Sequence, residues 1–485
     1  MDPKPFLTMR SSGILCDCTI QIGNRELLVH GLVIASRSDY FLKLLQSKMR
    51  DTNRVDLSNV VGGYDAISVI VDFCYGISVQ DRLDESNIAH VLCCALYLQM
   101  CGEKNLAMIC RNTLKMLTER QLTNCLAILN DCTDIGVAAE KEGVIEECLQ
   151  AAVLHFKSQE GNYEFEALDD LSNSVNLKDF PIHWIEQILE KMRQEECHLS
   201  ITAFVSTVHI SSIISCYPNS CQTVENSPYS LDACRPSAAS PTTLLEAFET
   251  IMSYVPDEAS TLSPRAASPT WFAKALEFST THSLACASRL FSMCASIYDK
   301  LANADDENTV VYKFKPNTIV ELNNVTKTNH SNLADYVEKM SDRYLLVQAQ
   351  HQSLTPSDFV QVLQSTDWFN RESTDAPFAA LNEMLEIPQD VMKINEDEIA
   401  HMAANIDFTK LSQDMLERAA KDTRIPRQVV VMAAVSVCST LRSQLAITSK
   451  AVNDEKKKTE MFKSALDIAN QRIRLLKAKK TNTTD

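Results

Sequence analysis

Residues 16–45 read CDCTIQIGNRELLVHGLVIASRSDYFLKLL, and their periodicity decides the N-terminal fold. Cys18, Ile20 and Ile22 alternate with Thr19 and Gln21, the two-residue period of a half-buried strand. Gly23-Asn24 supplies a two-residue hairpin turn, glycine being free to take positive φ, and Glu26–Val29 returns as a second strand. The period then lengthens. Tyr40, Phe41, Leu44 and Leu45 fall on one stripe of a helix over Ser38–Leu45. A short strand at Arg54–Leu57 follows. In the next two helices Ile67, Ile70, Val71 and Cys74, then Ile88, Val91, Leu92 and Ala95, stand at i, i+3, i+4 and i+7. The expectation for residues 14–132 is a short mixed sheet followed by helices.

Composition bounds the rest. A chain of 485 residues is too long for one ordinary domain. Hydrophobic residues at 45% against 22% charged residues describe a globular protein rather than a disordered one. The 10 glycines are too few for glycine-rich phosphate loops or a many-turned all-β fold, so a mostly helical chain is expected. A net charge of −17 repels a phosphate backbone, and no nucleic-acid partner is expected. The sign reverses in Lys463–Lys480, where six basic residues face a single acid, Asp467. The 17 cysteines are an odd number, and many lie in apolar runs, as reduced, buried thiols do. No signal-peptide core and no apolar stretch of about 18 residues is apparent, so a reducing setting, cytoplasmic or nuclear, is expected.

Helical patterns run from 133 to about 210. Residues 211–270 then cluster Ser, Thr and Pro around one helical island, Leu244–Tyr254, and read as a mobile linker. Helices resume at Trp271 and dominate from Asn332 to Leu445. Thr355-Pro356-Ser357-Asp358 has the form of a helix start. Ile425-Pro426-Arg427 opens another helix through VVVMAAVSVC, apolar on nearly every face and therefore placed in the core. Phe462, Leu466, Ala469, Ile473 and Leu476 form a heptad seam that Val452 and Leu445 extend upstream. The domains expected are 14–132, a helical domain at 133–445 interrupted at about 211–270, and a basic coiled coil at 446–480.

The 30-residue stretch resembles the BTB/POZ signature through Asp17, His30, Ser36, Ser38 and Tyr40-Phe41, in that order. Phe73-Cys74-Tyr75-Gly76 and Tyr97-Leu98-Gln99-Met100 look like the BTB version of the plant non-phototropic-hypocotyl (root phototropism protein-like) family. Asp407-Phe408-Thr409-Lys410-Leu411-Ser412 and Ile425-Pro426-Arg427-Gln428-Val429-Val430-Val431 resemble that family's second domain. Residues 200–300 depart from it, as does His401–Ile406, where a cysteine-rich element is usual. The chain reads as a divergent member. The resemblance implies an α+β BTB/POZ domain, an all-α domain and a coiled coil. It also implies a homodimer through the BTB domain and a role as substrate-receptor subunit of a cullin-3 ubiquitin ligase. Family work in light and auxin signalling implies a photoreceptor kinase as a client and a site at the plasma membrane. A different reading stays open, a membrane-associated scaffold without ligase activity.

The single residues each carry a plain alternative. His30 has no Cys or His partner at metal spacing, and with Asp17 it reads as BTB architecture. Cys16-x-Cys18 and Cys93-Cys94 are not zinc spacings. Met49 and Asp51 occupy the place where cullin-binding BTB domains carry a hydrophobic-x-Glu element. The acid here is one methylene shorter, and an ordinary exposed loop is the alternative. Ser227, Ser240, Ser263 and Ser268 each precede proline and are phosphorylation candidates, although Ser-Pro is common in linkers. Arg472, Arg474, Lys477, Lys479 and Lys480 are candidates for an anionic membrane surface, or else the solvated exterior of the coil. The Arg-x-Ser element that recruits phosphoserine-binding adaptors in some family members is absent from the C-terminal residues. No GxGxxG, P-loop, HExxH or GxSxG is present, so no catalytic, cofactor or metal residue is assigned and no enzyme is expected.

Overall fold

The computed structural model describes residues 4–48, 54–158, 177, 180–217, 236–237, 239–257, 267–303, 313–367, 369–386, 394–422, 424–425 and 427–481. The chain divides into two compact units, Met1–Asp306 and Glu307–Asp485, and the division falls inside the 133–445 stretch.

The first unit opens with helix α1 (Lys4–Ser11) and a three-stranded sheet of order β2-β1-β3. Strands β1 (Cys18–Ile22) and β2 (Arg25–Val29) pair antiparallel, Cys18 opposite Val29 and Ile22 opposite Arg25. Gly23 takes φ +59° in the turn between them. Strand β3 (Arg54–Asp56) lies parallel to β1, with Ile20 opposite Val55. Cys18, Ile20 and Ile22 are buried, so the alternation reports the face that packs. Helices α2 (Gly31–Ala35), α3 (Asp39–Lys48), α4 (Gly63–Cys74) and α5 (Ile88–Tyr97) follow, α2 packing on α3 and α4, and α4 on α5. All eight residues of the two i, i+3, i+4, i+7 sets on α4 and α5 are buried.

Gly62 shows why that packing is close. Its φ is +88°, and a Cβ there would lie 2.7 Å from the Ala66 Cβ and 3.1 Å from the His90 carbonyl oxygen. Only glycine meets both conditions.

Helices α6 (Leu106–Arg120), α7 (Leu122–Asp131), α8 (Gly136–Lys141) and α9 (Val144–Ser158) continue the layer. Beyond them Trp184, in helix Ile182–Gln194, is fully buried and donates from Nε1 to Glu140 Oε1 at 3.2 Å.

Two expectations need correction in this unit. Helix Leu199–Cys216 has 18 residues and no charged side chain, so a stretch long and apolar enough to span a membrane does exist. Much of it is buried, with Ile201, Phe204, Val205, Ile210 and Ile213 inside the unit, as in a core helix. The stretch 211–270, expected as a mobile linker, is partly core. That helix extends to Cys216, and helix Pro241–Met252 buries Leu244, Phe248 and Ile251 completely. The amphipathic spacing of those three gives the island a face to pack.

The same five residues, AASPT, occur at 238–242 and 266–270. Ser240 and Ser268 are the N-caps of helices Pro241–Met252 and Pro269–Thr281, each followed by proline at the first helical position.

The second unit is helical throughout its described residues. Buried polar groups tie its helices together. Asn323 Nδ2 donates to Ser341 Oγ at 3.0 Å and to Ser365 Oγ at 2.8 Å. Tyr344 donates to the Phe314 carbonyl at 2.8 Å. Arg371 pairs with Asp342, whose carboxyl is pushed up to about 6 because burial outweighs the arginine's charge. Helix Pro356–Gln364 begins at the expected start, where Thr355 and Asp358 close a capping box.

The chain's last helix corrects a third expectation. It runs unbroken over 55 residues, Arg427–Thr481, so the apolar segment expected in the core and the coiled coil are one element. Its apolar start is not buried, Val431 being 60% and Val435 64% exposed. Ile425, just before it, is buried, and the helix base packs on Phe408–Lys410.

Candidate docking surfaces

The start of α3 is fastened to the turn after α5. Ser38 Oγ donates to the Leu98 carbonyl at 2.6 Å, and Lys43 Nζ donates to Gln99 Oε1 at 2.8 Å. Gln99 takes φ +53°, a cost for a residue with a Cβ, while Leu98 and Met100 on either side are fully buried. The Tyr97-Leu98-Gln99-Met100 motif thus holds α3 in place. Tyr40 of α3 and Tyr97 of α5 meet with ring centroids 5.5 Å apart and planes tilted by 42°, and Tyr97 is 49% exposed.

These two tyrosines line a cleft of about 540 Å³ with Val61, Leu96, Val137 and Lys141. Val137 is exposed as well. The surface is aromatic and apolar, with a charged edge, the make-up of a protein-contact patch. Burial raises the Tyr40 hydroxyl pKa, helped by Tyr97. The cleft combines residues about 100 positions apart, and the sequence patterns did not single it out. Met49 and Asp51, the expected cullin contacts, follow α3 and lie outside the described residues.

A second apolar patch is formed from α2 and its neighbours. Leu32 is 78% and Leu15 75% exposed, and Ile14 and Leu28 are exposed too. Asp17 and His30 hold the backbone beneath it. Asp17 Oδ1 accepts from the Gly31 amide at 2.7 Å at the start of α2. The His30 amide donates to Tyr75 Oη at 2.8 Å, and His30 Nδ1 lies 2.6 Å from the same hydroxyl. His30 Nε2 faces the Ile14 carbonyl at 3.0 Å and so carries a hydrogen. Both ring nitrogens are engaged, which leaves neither free for a metal.

A polar recess was not foreseen either. His90 and Asp131 approach at 3.3 Å beside Asp65, Arg82 and Asp134. Burial works against the charged imidazole, but the hydrogen bond and charge of Asp131 prevail and raise its pKa.

Among the described residues no group of three or more His, Cys, Asp and Glu could hold a metal ion. Burial pushes the Cys74 and Cys93 thiols up to about 12, so neither is a thiolate near neutral pH.

The remaining candidates fall as follows. Ser240 Oγ accepts from the Thr243 amide at 3.2 Å and Ser268 Oγ from the Trp271 amide at 3.1 Å, so both hydroxyls are helix caps. Ser227 and Ser263 lie outside the described residues. Arg472 and Arg474 are exposed on the last helix. Lys477, Lys479 and Lys480 continue its backbone, their side chains outside the described residues. The Asp407–Ser412 motif ties helix Asp375–Glu386 to the loop beneath the last helix. Thr374 donates to the Asp407 carbonyl at 2.7 Å, the Ser412 amide donates to Asp375 Oδ1 at 2.8 Å, and Phe408 meets Phe378 at 6.1 Å.

Comparison with known proteins agrees with this geometry. The profile of the BTB/POZ domain matches residues 6–116. BTB/POZ domain-containing protein SETH6 of Arabidopsis thaliana is 24% identical over 467 residues, which are 87% of this chain and 71% of that protein. Root phototropism protein 2 of the same plant is 26% identical over 143 residues, 29% of this chain and 24% of its own length. BTB/POZ domain-containing protein SR1IP1, also of Arabidopsis thaliana, is 25% identical over 158 residues, 32% of this chain and 26% of its own length.

Proposed function

We propose, from the premise that the N-terminal region is a BTB/POZ domain related to those of plant BTB/POZ proteins, that this chain is a substrate-specific adaptor of a cullin-3 type ubiquitin ligase. The observation that carries the reading is the exposed Tyr40–Tyr97 cleft, braced by the Ser38 and Gln99 hydrogen bonds and lying on the helix that leads into Met49 and Asp51. A partner helix seated there buries two aromatic rings, the residue type that dominates interface energies. The Leu15, Leu28 and Leu32 patch is the proposed homodimer face, and a dimer doubles the ligase sites presented to one client.

No residue of this chain makes or breaks a covalent bond in this scheme. It binds two proteins and holds them near each other. Phototropism in the name of one relative supports a client in a plant light response, and the family resemblance extends the proposal to auxin-linked growth and a photoreceptor kinase as client. The proposed location is cytoplasmic and peripheral to the plasma membrane. The exposed arginines of the last helix favour a second reading, a plasma-membrane scaffold without ligase activity, and vesicle binding by the full chain tests it.

The adaptor reading is tested by calorimetric titration of the full chain with the N-terminal domain of cullin-3. Micromolar binding is expected, lost both in Tyr97→Asp and in Met49→Ala combined with Asp51→Ala. No heat of binding from a well-folded chain contradicts the reading.

A further inference from the structure

The last helix is about 80 Å long at 1.5 Å per residue, and one set of its apolar residues keeps a single phase, while Val435, Ile447, Met461 and Ile468 lie off it. Val431, Cys438, Leu445, Val452, Leu466 and Ile473 recur at multiples of seven. Ala434, Leu441, Phe462 and Ala469 follow at the intervening places, three residues later. A straight helix drifts about 20° per heptad against such a repeat. A phase kept over about six heptads, with polar residues at Thr448, Glu455 and Thr459, therefore describes a supercoil around a partner rather than a stripe packed on a globular body. The seam is open, Leu445 being 74%, Phe462 76% and Leu466 63% exposed. It reaches back through the very residues whose all-round apolarity otherwise suggests a core helix.

Charge states what covers it. The helix carries twelve lysines and arginines against four acids. The positions flanking the seam hold Arg442, Lys456 and Lys463 on one side and Lys458 and Arg472 on the other, with no acid on either. Asp454, Glu460 and Asp467 fall on the outer face, and Glu455 sits in the seam itself. Two copies paired in parallel place Lys458 against Lys463 and Glu455 against Glu455. Paired antiparallel, they meet base to base along both edges. Either arrangement sets like charges together, the device that excludes self-pairing.

We propose that helix Arg427–Thr481 docks an acidic amphipathic helix of another protein. The two form a coiled coil along Val431–Ile473, with glutamates or aspartates of the partner beside the lysines and arginines and a basic or amide residue of the partner opposite Glu455. The proposal is independent of cullin binding.

The test uses the full chain and two synthetic helices of about six heptads. Both have leucine seams. One has glutamate and the other lysine at every flanking position. Fluorescence anisotropy is expected to show the glutamate helix binding about tenfold or more tightly than the lysine helix, since several flanking pairs at a few tenths of a kcal/mol each sum past one decade. Added salt narrows the gap. Reversing Lys456, Lys458, Lys463 and Arg472 to glutamate is expected to swap the preference, a result that a merely structural helix does not give. Leu441→Ser with Leu466→Ser removes binding of both while leaving the melting temperature unchanged.

Equal binding of the two helices, or binding of neither, overturns the proposal. So does a Cys438–Cys438 disulfide formed in high yield on mild oxidation, which reports self-pairing along the seam. Retention of the seam-mutated chain by phosphatidylserine vesicles, lost on Arg472→Glu with Arg474→Glu, assigns the helix to a membrane surface and overturns it as well.

Discussion

Helix Leu199–Cys216 and the first turns of helix Arg427–Thr481 are alike in composition: neither Leu199–Cys216 nor Gln428–Leu441 contains a charged residue. Their surroundings are opposite. Ile201, Val205, Ile210 and Ile213 are buried, whereas Val431, Val435 and Leu441 stand in solvent. In the first helix the hydroxyls turn inward on their own backbone, Ser206 donating to the Thr202 carbonyl at 2.7 Å, and Trp271 donates from Nε1 to the Thr207 carbonyl at 3.2 Å. These hydroxyls and the Thr207 carbonyl are thus satisfied without water, and neighbours can surround that face of the helix. The second helix continues into a strongly charged segment and so leaves the body of its unit. Apolar composition says that a surface is to be covered. What covers it follows from the residues next in the chain.

The contrast can be broken by a buried charge. Ile210→Asp places an unpaired carboxylate in the core and is expected to cost more than about 4 kcal/mol, losing the first unit's melting transition. Leu441→Asp, at an equally apolar position, is expected to shift stability by no more than about 0.5 kcal/mol. Comparable losses from both substitutions contradict the assignment of the second helix to an interface.

Acid sharpens it next. His209 is fully buried on Leu199–Cys216, and burial pushes its pKa from 6.5 down to about 4. The folded state thus resists a proton that the unfolded chain accepts. Its stabilising effect is whole above pH 6.5 and is lost as pH falls from 6.5 towards 4. The loss is on the order of 3 kcal/mol, since each tenfold weakening of proton binding on folding is worth about 1.4 kcal/mol. Denaturant titrations of the first unit across that range measure it, and His209→Met is expected to flatten the dependence.

The AASPT caps give a smaller and matched pair. Ser240→Ala and Ser268→Ala are each expected to cost about 1 kcal/mol, as N-cap truncations do, and thermal melts compare them. Unequal costs mean that the two identical segments do not cap alike. The smallest effect belongs to Leu445→Ser, expected to alter folding stability by less than about 0.5 kcal/mol because its side chain is already in water.

The N-terminal sheet was legible because β1 is buried on one face, so the alternation at Cys18, Ile20 and Ile22 names both the strand and its register. Helices α4 and α5 were legible for the same reason at a longer period. The apolar start of the last helix was misplaced because Val429–Cys438 is apolar all round, which hides the two positions in seven that continue the seam. The cleft was illegible because Tyr40, Tyr97 and Val137 meet only after α3, α5 and α8 have packed, and no local pattern links them. The segment after Cys216 reads as a loop from its serines and prolines, yet Leu244, Phe248 and Ile251 carry enough apolar area to draw one helix of it into the core.

Hydrogen exchange of the full chain, with and without the cullin-3 N-terminal domain, tests the adaptor account most directly. The account predicts that cullin slows exchange in Tyr40–Lys48, around Tyr97 and across Val137–Glu142, and leaves Leu199–Cys216 and Arg427–Thr481 unchanged. Slowing in the last helix alone, or in no segment at all, contradicts it.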